Sequence, residues 1–279
     1  MSSRPWFAGN RLTVLPGTME TDSQERSKRR GIYLLPNMIT TAGLFAGFYS
    51  IVAAMNGRFE PAAVAIFVAM IMDGIDGRVA RLTNTQSEFG IQYDSLSDMV
   101  CFGLAPALVM YEWSLHAMVT VGWAKLGWLA AFIYAAAAAL RLARFNAQVE
   151  TAEKAYFRGL PSPSAAGVLA GLVWAATDLG VAGPDLVYLV FVFTIAMGLL
   201  MVSNIRYFSF KEFNLKHRVS FVALLIVVLV YVFASIDPPK VLFAGFTIYA
   251  ISGIVYTLIT VRARRRARKR GDRSGQDLQ

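Results

Sequence analysis

Cysteine and histidine are almost missing from this sequence, with one Cys and two His among 279 residues. The lone thiol, Cys101, cannot close an internal disulfide, so the redox compartment is not readable. Within its apolar stretch it reads as a small packing residue rather than a nucleophile. Charge is scarce as well: 16% of residues are charged against 56% hydrophobic. That balance excludes a water-soluble domain and puts the bulk of the chain in a bilayer. A secretory leader is not expected, because about 30 polar residues precede the first apolar run and no small-residue cleavage site follows it. Residues 1–30 are therefore expected to be a loose tail. No repeat of solenoid length occurs, and no low-complexity segment beyond the basic C-terminal end.

What charge there is has a pattern. The net +9 sits largely in two terminal clusters, Arg26 to Arg30 and Arg262 to Arg270. Nucleic acid is a poor partner for such a chain; basic residues beside apolar spans mark cytoplasmic loops and meet anionic lipid headgroups. A helix needs about 20 apolar residues to cross the hydrocarbon core. By that measure the sequence predicts an all-α polytopic protein with spans near Leu35–Met55, Pro61–Arg81, Phe89–Trp113, Leu126–Phe145, Pro163–Thr177, Leu186–Ile205, Val219–Ile236 and Val241–Val261. The loops alternate between basic-rich and basic-poor, which fits an even number of spans with both termini in the cytoplasm.

One stretch breaks the apolar pattern. Residues 72–100 read MDGIDGRVARLTNTQSEFGIQYDSLSDMV, with four aspartates flanking the first basic connection between spans. A carboxylate inside the hydrocarbon costs on the order of 3 kcal/mol, so several together must face a polar cavity and be neutralised. At about 100° per residue, Asp73, Asp76, Gly77, Ala80 and Arg81 share an arc of about 140° on span two. Asp94 and Asp98 lie one turn apart on span three, with Gly90 a further turn back. Two helices joined by a short loop are antiparallel neighbours, so the two pairs can converge. Four hard oxygen donors without a His or Cys ligand set suit Mg²⁺ or Mn²⁺ and not zinc. Four carboxylates can hold two such ions in the arrangement that serves phosphoryl transfer. Gly77 and Gly90 allow close approach to the backbone, and Arg81 can grip a phosphate through its planar fork.

Those residues carry a resemblance. Asp73, Asp76, Gly77, Ala80, Arg81, Gly90, Asp94 and Asp98 fill every fixed position of D-x-x-D-G-x-x-A-R-x8-G-x-x-x-D-x-x-x-D. This pattern is similar to that of the CDP-alcohol phosphatidyltransferases. The resemblance implies a six-helix membrane core, over residues 31–205; the apolar runs beyond it predict two additional helices over 206–262, and the basic composition a tail over 263–279. It also implies two divalent cations held by Asp73, Asp76, Asp94 and Asp98, with Asp98 as the general base. CDP-diacylglycerol would lie over Asn37, Gly77, Ala80, Arg81 and Gly90. A bacterial inner membrane is the location it implies, with the active site on the cytoplasmic side. A homodimer is compatible with the pattern and not specified by it.

The acceptor alcohol must be read elsewhere. Leu35-Pro36-Asn37, Arg141-Leu142-Ala143-Arg144-Phe145-Asn146 and Gly159-Leu160-Pro161-Ser162-Pro163 resemble segments of the phosphatidylserine synthases within that family. L-Serine brings a carboxylate, and Arg141, Arg144 and Asn146 are the residues expected to receive it. The two arginines read equally as ordinary cytoplasmic-loop cations, and Asn37 and Asn146 as helix-end hydrogen bonders. Glycerol 3-phosphate and inositol phosphate are the alternative acceptors. A divalent-cation transporter is the alternative of another class; against it, no second carboxylate group continues a path through the other spans.

Overall fold

The computed structural model describes residues 18–83, 85, 87–120, 122–147, 156–208, 232 and 235–276. In chain order the elements are α1 (Thr18–Met55), α2 (Phe59–Leu82), α3 (Glu88–Asp98), a π-helical segment (Met99–Leu104) and α4 (Ala105–Trp113). A 3-10 turn (Leu115–Val119), α5 (Ala124–Ala147) and β1 (Tyr156–Arg158) follow. After them come α6 (Ser162–Asp178), a second 3-10 turn (Gly183–Leu186), α7 (Val187–Val202), β2 (Arg206–Phe208) and α8 (Pro238–Gln276).

Small side chains set how closely these helices pack. Ala62, Ala63, Ala65 and Ala69 form the buried face of α2, which lies against α1 and α6. α6 is the central helix: Ala165, Ala166, Val168, Leu169, Ala170 and Val173 are all buried. α8 seats Phe243 and Phe246 on the bare backbone of α6 at Gly171 and Gly167, where an added Cβ would meet ring or backbone atoms at 2.9 and 2.8 Å. Lipid gives helices no hydrophobic reason to associate, so such close backbone contact is what holds them together. The large apolar side chains point the other way. Phe45, Phe48, Phe132, Tyr188, Val192, Ile248 and Ile259 are exposed on the outside of the bundle, as a hydrocarbon solvent requires.

The eight-span expectation is corrected here. Among the described residues four segments are long and apolar enough to cross a membrane: Leu35–Met55, Lys125–Ala147, Gly183–Val202 and Pro238–Thr260. They correspond to the first, fourth, sixth and eighth expected spans. The second falls short because α2 carries Glu60, Asp73, Asp76, Arg78 and Arg81. The third is divided into α3, the π segment and α4. The fifth has 17 residues, about 26 Å of helix against about 30 Å of hydrocarbon. The seventh falls largely outside the described residues. The chain is a polytopic helical membrane protein in which the short helix α6 is buried among the others, while α2 and α3 keep an exposed apolar face at Ile71, Leu82, Phe89 and Leu96.

Two further differences concern the ends and the loops. α1 begins at Thr18, within the stretch expected to be a loose tail, and α8 runs on to Gln276. The all-α expectation also missed a small antiparallel ribbon, in which Tyr156, Phe157 and Arg158 pair with Phe208, Tyr207 and Arg206. Its strands are far apart in sequence, so no local signal announces the pairing. The ribbon leads into Gly159, whose φ of +83° and close contact with the Met201 carbonyl leave no room for a side chain.

Candidate metal centre and adjoining cleft

The acidic residues are brought together by a helical hairpin. α2 presents Asp73, Asp76, Gly77, Ala80 and Arg81 in its last three turns. The chain turns through Thr83 and Thr85, whose hydroxyls are 2.6 Å apart. Ser87 then caps α3 by accepting a hydrogen bond from the Gly90 amide at 3.0 Å, which satisfies one of the free N–H groups of the first turn. α3 carries Asp94 and Asp98 on one face, and the π segment begins at the next residue, Met99. Such wide turns inside a helix occur frequently at functional sites, where they re-aim the side chains that follow.

One carboxylate oxygen from each of Asp73, Asp76 and Asp94 lies within 4.8 Å of the others. Asp98 lines the same cavity as these three. At an effective dielectric of about 20, three ionised carboxylates at this spacing repel by about 3 kcal/mol per pair. That total is comparable with the stability of a whole domain, about 5 to 15 kcal/mol. The cluster therefore needs a neutralising partner. Arg141 acts electrostatically on Asp98, which is too little positive charge for four acids. Oxygen-only donors converging on one point fit a hard divalent cation, so the residues present suit the ion the sequence implies.

Two cavities meet at this cluster. The inner one, about 180 Å³, is lined by all four aspartates with Thr40, Gly43, Ala69, Ser97, Cys101 and Phe102. The outer cleft, about 730 Å³, is lined by Pro36, Asn37, Thr40, Asp76, Gly77, Ala80, Arg81, Thr85, Ser87, Gly90, Ile91 and Asp94. Thr40, Asp76 and Asp94 belong to both, so any molecule filling the cleft reaches the carboxylates directly. All five residues expected to meet CDP-diacylglycerol, Asn37, Gly77, Ala80, Arg81 and Gly90, fall on this one cleft. An added Cβ at Gly77 would meet nothing within 4 Å, whereas one at Gly90 would come within 3.1 Å of Ser87 Oγ and 3.4 Å of Asn37 Oδ1. The glycine at 77 keeps the cleft open, and the one at 90 lets α1 and α3 close its wall.

The residues expected to receive serine sit apart from the cleft lining. Arg141 donates to Ser162 Oγ at 2.6 Å, joining α5 to the first turn of α6. Arg144 donates to Asn204 Oδ1 at 2.8 Å, and Asn146 donates to Ser95 Oγ at 3.1 Å, beside Asp94. Arg141 is the one of the three whose charge bears on an aspartate of the cluster. Lys154, in the same basic stretch, lies outside the described residues. Thr40, Ser97, Thr85 and Ser87 were not read from the sequence. The one available signal was local: Thr40 lies one helical turn beyond Asn37, on the same face of α1.

The family described as CDP-alcohol phosphatidyltransferase matches residues 33–202 of the chain. A CDP-diacylglycerol–serine O-phosphatidyltransferase of Helicobacter pylori is 35% identical over 224 residues, covering 80% of this chain and 91% of the relative. One from Bacillus subtilis is 30% identical over 178 residues, covering 64% of this chain and 92% of the relative. Another from Mycobacterium tuberculosis is 36% identical over 184 residues, covering 63% and 62% of the two chains.

Proposed function

The chain belongs to the CDP-alcohol phosphatidyltransferase family, and from that premise we propose that it transfers the phosphatidyl group of CDP-diacylglycerol to L-serine. The products are phosphatidylserine and CMP. The observation that carries this reading is the junction of a wide cleft, lined by Asn37, Gly77, Ala80, Arg81 and Gly90, with a four-aspartate cavity at Asp76 and Asp94. Serine as the acceptor is supported by the names of the relatives in three bacterial genera.

In this reading the nucleotide lies in the cleft and its diphosphate meets the Arg81 guanidinium, with the bare backbone at Gly77 permitting close approach. The serine Oγ attacks the phosphorus that carries the diacylglycerol. An O–P bond forms as the bridging P–O bond of the diphosphate breaks, and CMP leaves with the bonding pair. The hydroxyl proton goes to a carboxylate oxygen of Asp98. Divalent ions, Mg²⁺ or Mn²⁺, at Asp73, Asp76, Asp94 and Asp98 would polarise the phosphoryl oxygens and make the attacking hydroxyl easier to deprotonate. The serine carboxylate would be received on the α5 side, by Arg141 or Arg144 with Asn146 nearby. The distribution of Lys and Arg among the loops supports a cytoplasmic active site.

The experiment is an acceptor panel. Purified protein receives CDP-diacylglycerol, a divalent ion and, in separate reactions, labelled L-serine, glycerol 3-phosphate or inositol phosphate, and the lipid product is identified. Label in phosphatidylserine is expected. Transfer to glycerol 3-phosphate without transfer to serine would reject the assigned acceptor and leave the reaction class standing.

A further inference from the structure

Thr40 stands on α1 at the point where the two cavities meet. Thr40 is 5% exposed and Asp76 3% exposed, so neither exchanges its partner freely with water. Thr40 Oγ1 lies 2.7 Å from Asp76 Oδ2 and 3.0 Å from the Pro36 carbonyl oxygen. A hydroxyl has one proton to give, and the shorter contact, to a carboxylate, is the stronger bond. We propose that Thr40 is a positioning residue for the ion-binding carboxylate of Asp76. It holds Oδ2 by a donated hydrogen bond, fixes the side chain between the cavities, and leaves the remaining lone pairs of the carboxylate to the ion. This rests on the ion-binding part of the function proposed above and not on serine as the acceptor.

The packing of α1 on residues 97–101 does not account for the hydroxyl. The seat of α1 on the third helical stretch is made by other groups: Ser97 Oγ donates to the Thr40 carbonyl at 3.4 Å, and Cys101 Sγ donates to the Gly43 carbonyl at 3.3 Å. Neither bond uses the Thr40 side chain. Polar groups that orient a ligating carboxylate from behind set metal affinity, and losing one typically costs about 10- to 100-fold.

The test is direct Mn²⁺ binding to the full-length protein in detergent, followed by electron paramagnetic resonance of the free ion, without substrates. Thr40→Val keeps the shape and removes the donor; Thr40→Ala removes it with less bulk; Thr40→Ser keeps it. The first two are expected to weaken Mn²⁺ binding by about tenfold, and the serine variant to stay within about twofold of wild type. The ion-free thermal midpoint is recorded for each. A lowered midpoint with unchanged Kd in Thr40→Val and Thr40→Ala would assign the hydroxyl to packing and overturn the proposal. So would a Thr40→Ser variant that loses as much affinity as Thr40→Val. A wild-type protein that binds no Mn²⁺ would overturn the ion site itself, and the proposal with it.

Discussion

Charge is handled in two opposite ways at the two ends of α6. At its C-terminal end Asp178 and Asp237 share Lys240, at 3.3 and 2.5 Å, in a half-exposed cluster. At its N-terminal end, about 24 Å away along the helix, Ser162 holds Arg141, whose charge acts on Asp98 of the acidic cluster on α2 and α3. Two acids with one nearby lysine in water are ordinary surface chemistry, worth little to stability. Four acids around a cavity with one arginine are not stable as an ionised set without more positive charge. The first cluster has its cation within the described residues, and the second has the donor set to hold a metal ion. That difference is what the proposed function rests on.

The comparison can be broken most severely at the aspartates. Asp73→Asn, Asp76→Asn and Asp94→Asn are each expected to reduce CMP release to background and to abolish Mn²⁺ binding, because each removes charge and a ligand. Chelation of the wild-type protein should do the same, reversibly on adding the ion back. Near-normal turnover in any of the three would remove the case for treating the two clusters differently. Next is Arg81→Lys, which keeps the charge and loses the fork. The KM for CDP-diacylglycerol is expected to rise by about tenfold, and an unchanged KM and kcat would count against a diphosphate contact. Replacing Arg141 or Arg144 by Ala should raise the KM for serine several-fold while nucleotide binding holds. Because Arg141 also ties α5 to Ser162 through a part-buried bond, its variant is expected to lose more thermal stability than Arg144→Ala, whose bond to Asn204 is exposed. The smallest effect belongs to the other end. Lys240→Met should leave turnover unchanged and lower the thermal midpoint slightly. The hydrogen bond from Lys240 holds the Asp237 carboxyl below its ordinary value of 3.8. Its contribution is therefore present above that value and lost as pH falls through the lower, folded-state value. A wild-type midpoint whose acid sensitivity matched that of Lys240→Met would deny the pairing.

The two ends also differ in how much could be read from residues alone. The aspartate set was legible because helix periodicity and one short loop decide it: Asp73, Asp76, Asp94 and Asp98 converge on one cavity with the glycines and Arg81 at its edge. Spans were legible where an apolar run is uninterrupted, as in α7. They were not where the sequence serves a second purpose. α2 gives up apolarity to carry the acids, and the third span breaks into a π segment directly after Asp98. Contacts between distant segments left no trace in the sequence: the pairing of β1 with β2, Arg141 with Ser162, and Phe246 on Gly167. Thr40 gives little signal in the sequence because a threonine in an apolar helix is usually satisfied by its own backbone. The bond to Pro36 is of that kind, and the bond to Asp76 is visible only once α1 and α2 are side by side.

The most direct test of the account is the dependence of CMP release on serine in purified wild-type protein, measured together with phosphatidylserine formed and compared with Asp98→Asn. The account predicts one CMP per phosphatidylserine, no CMP without serine, loss of both on chelation with recovery on adding Mg²⁺ or Mn²⁺, and neither product from Asp98→Asn. CMP release that is independent of serine, or that persists in Asp98→Asn at the wild-type rate, would contradict it.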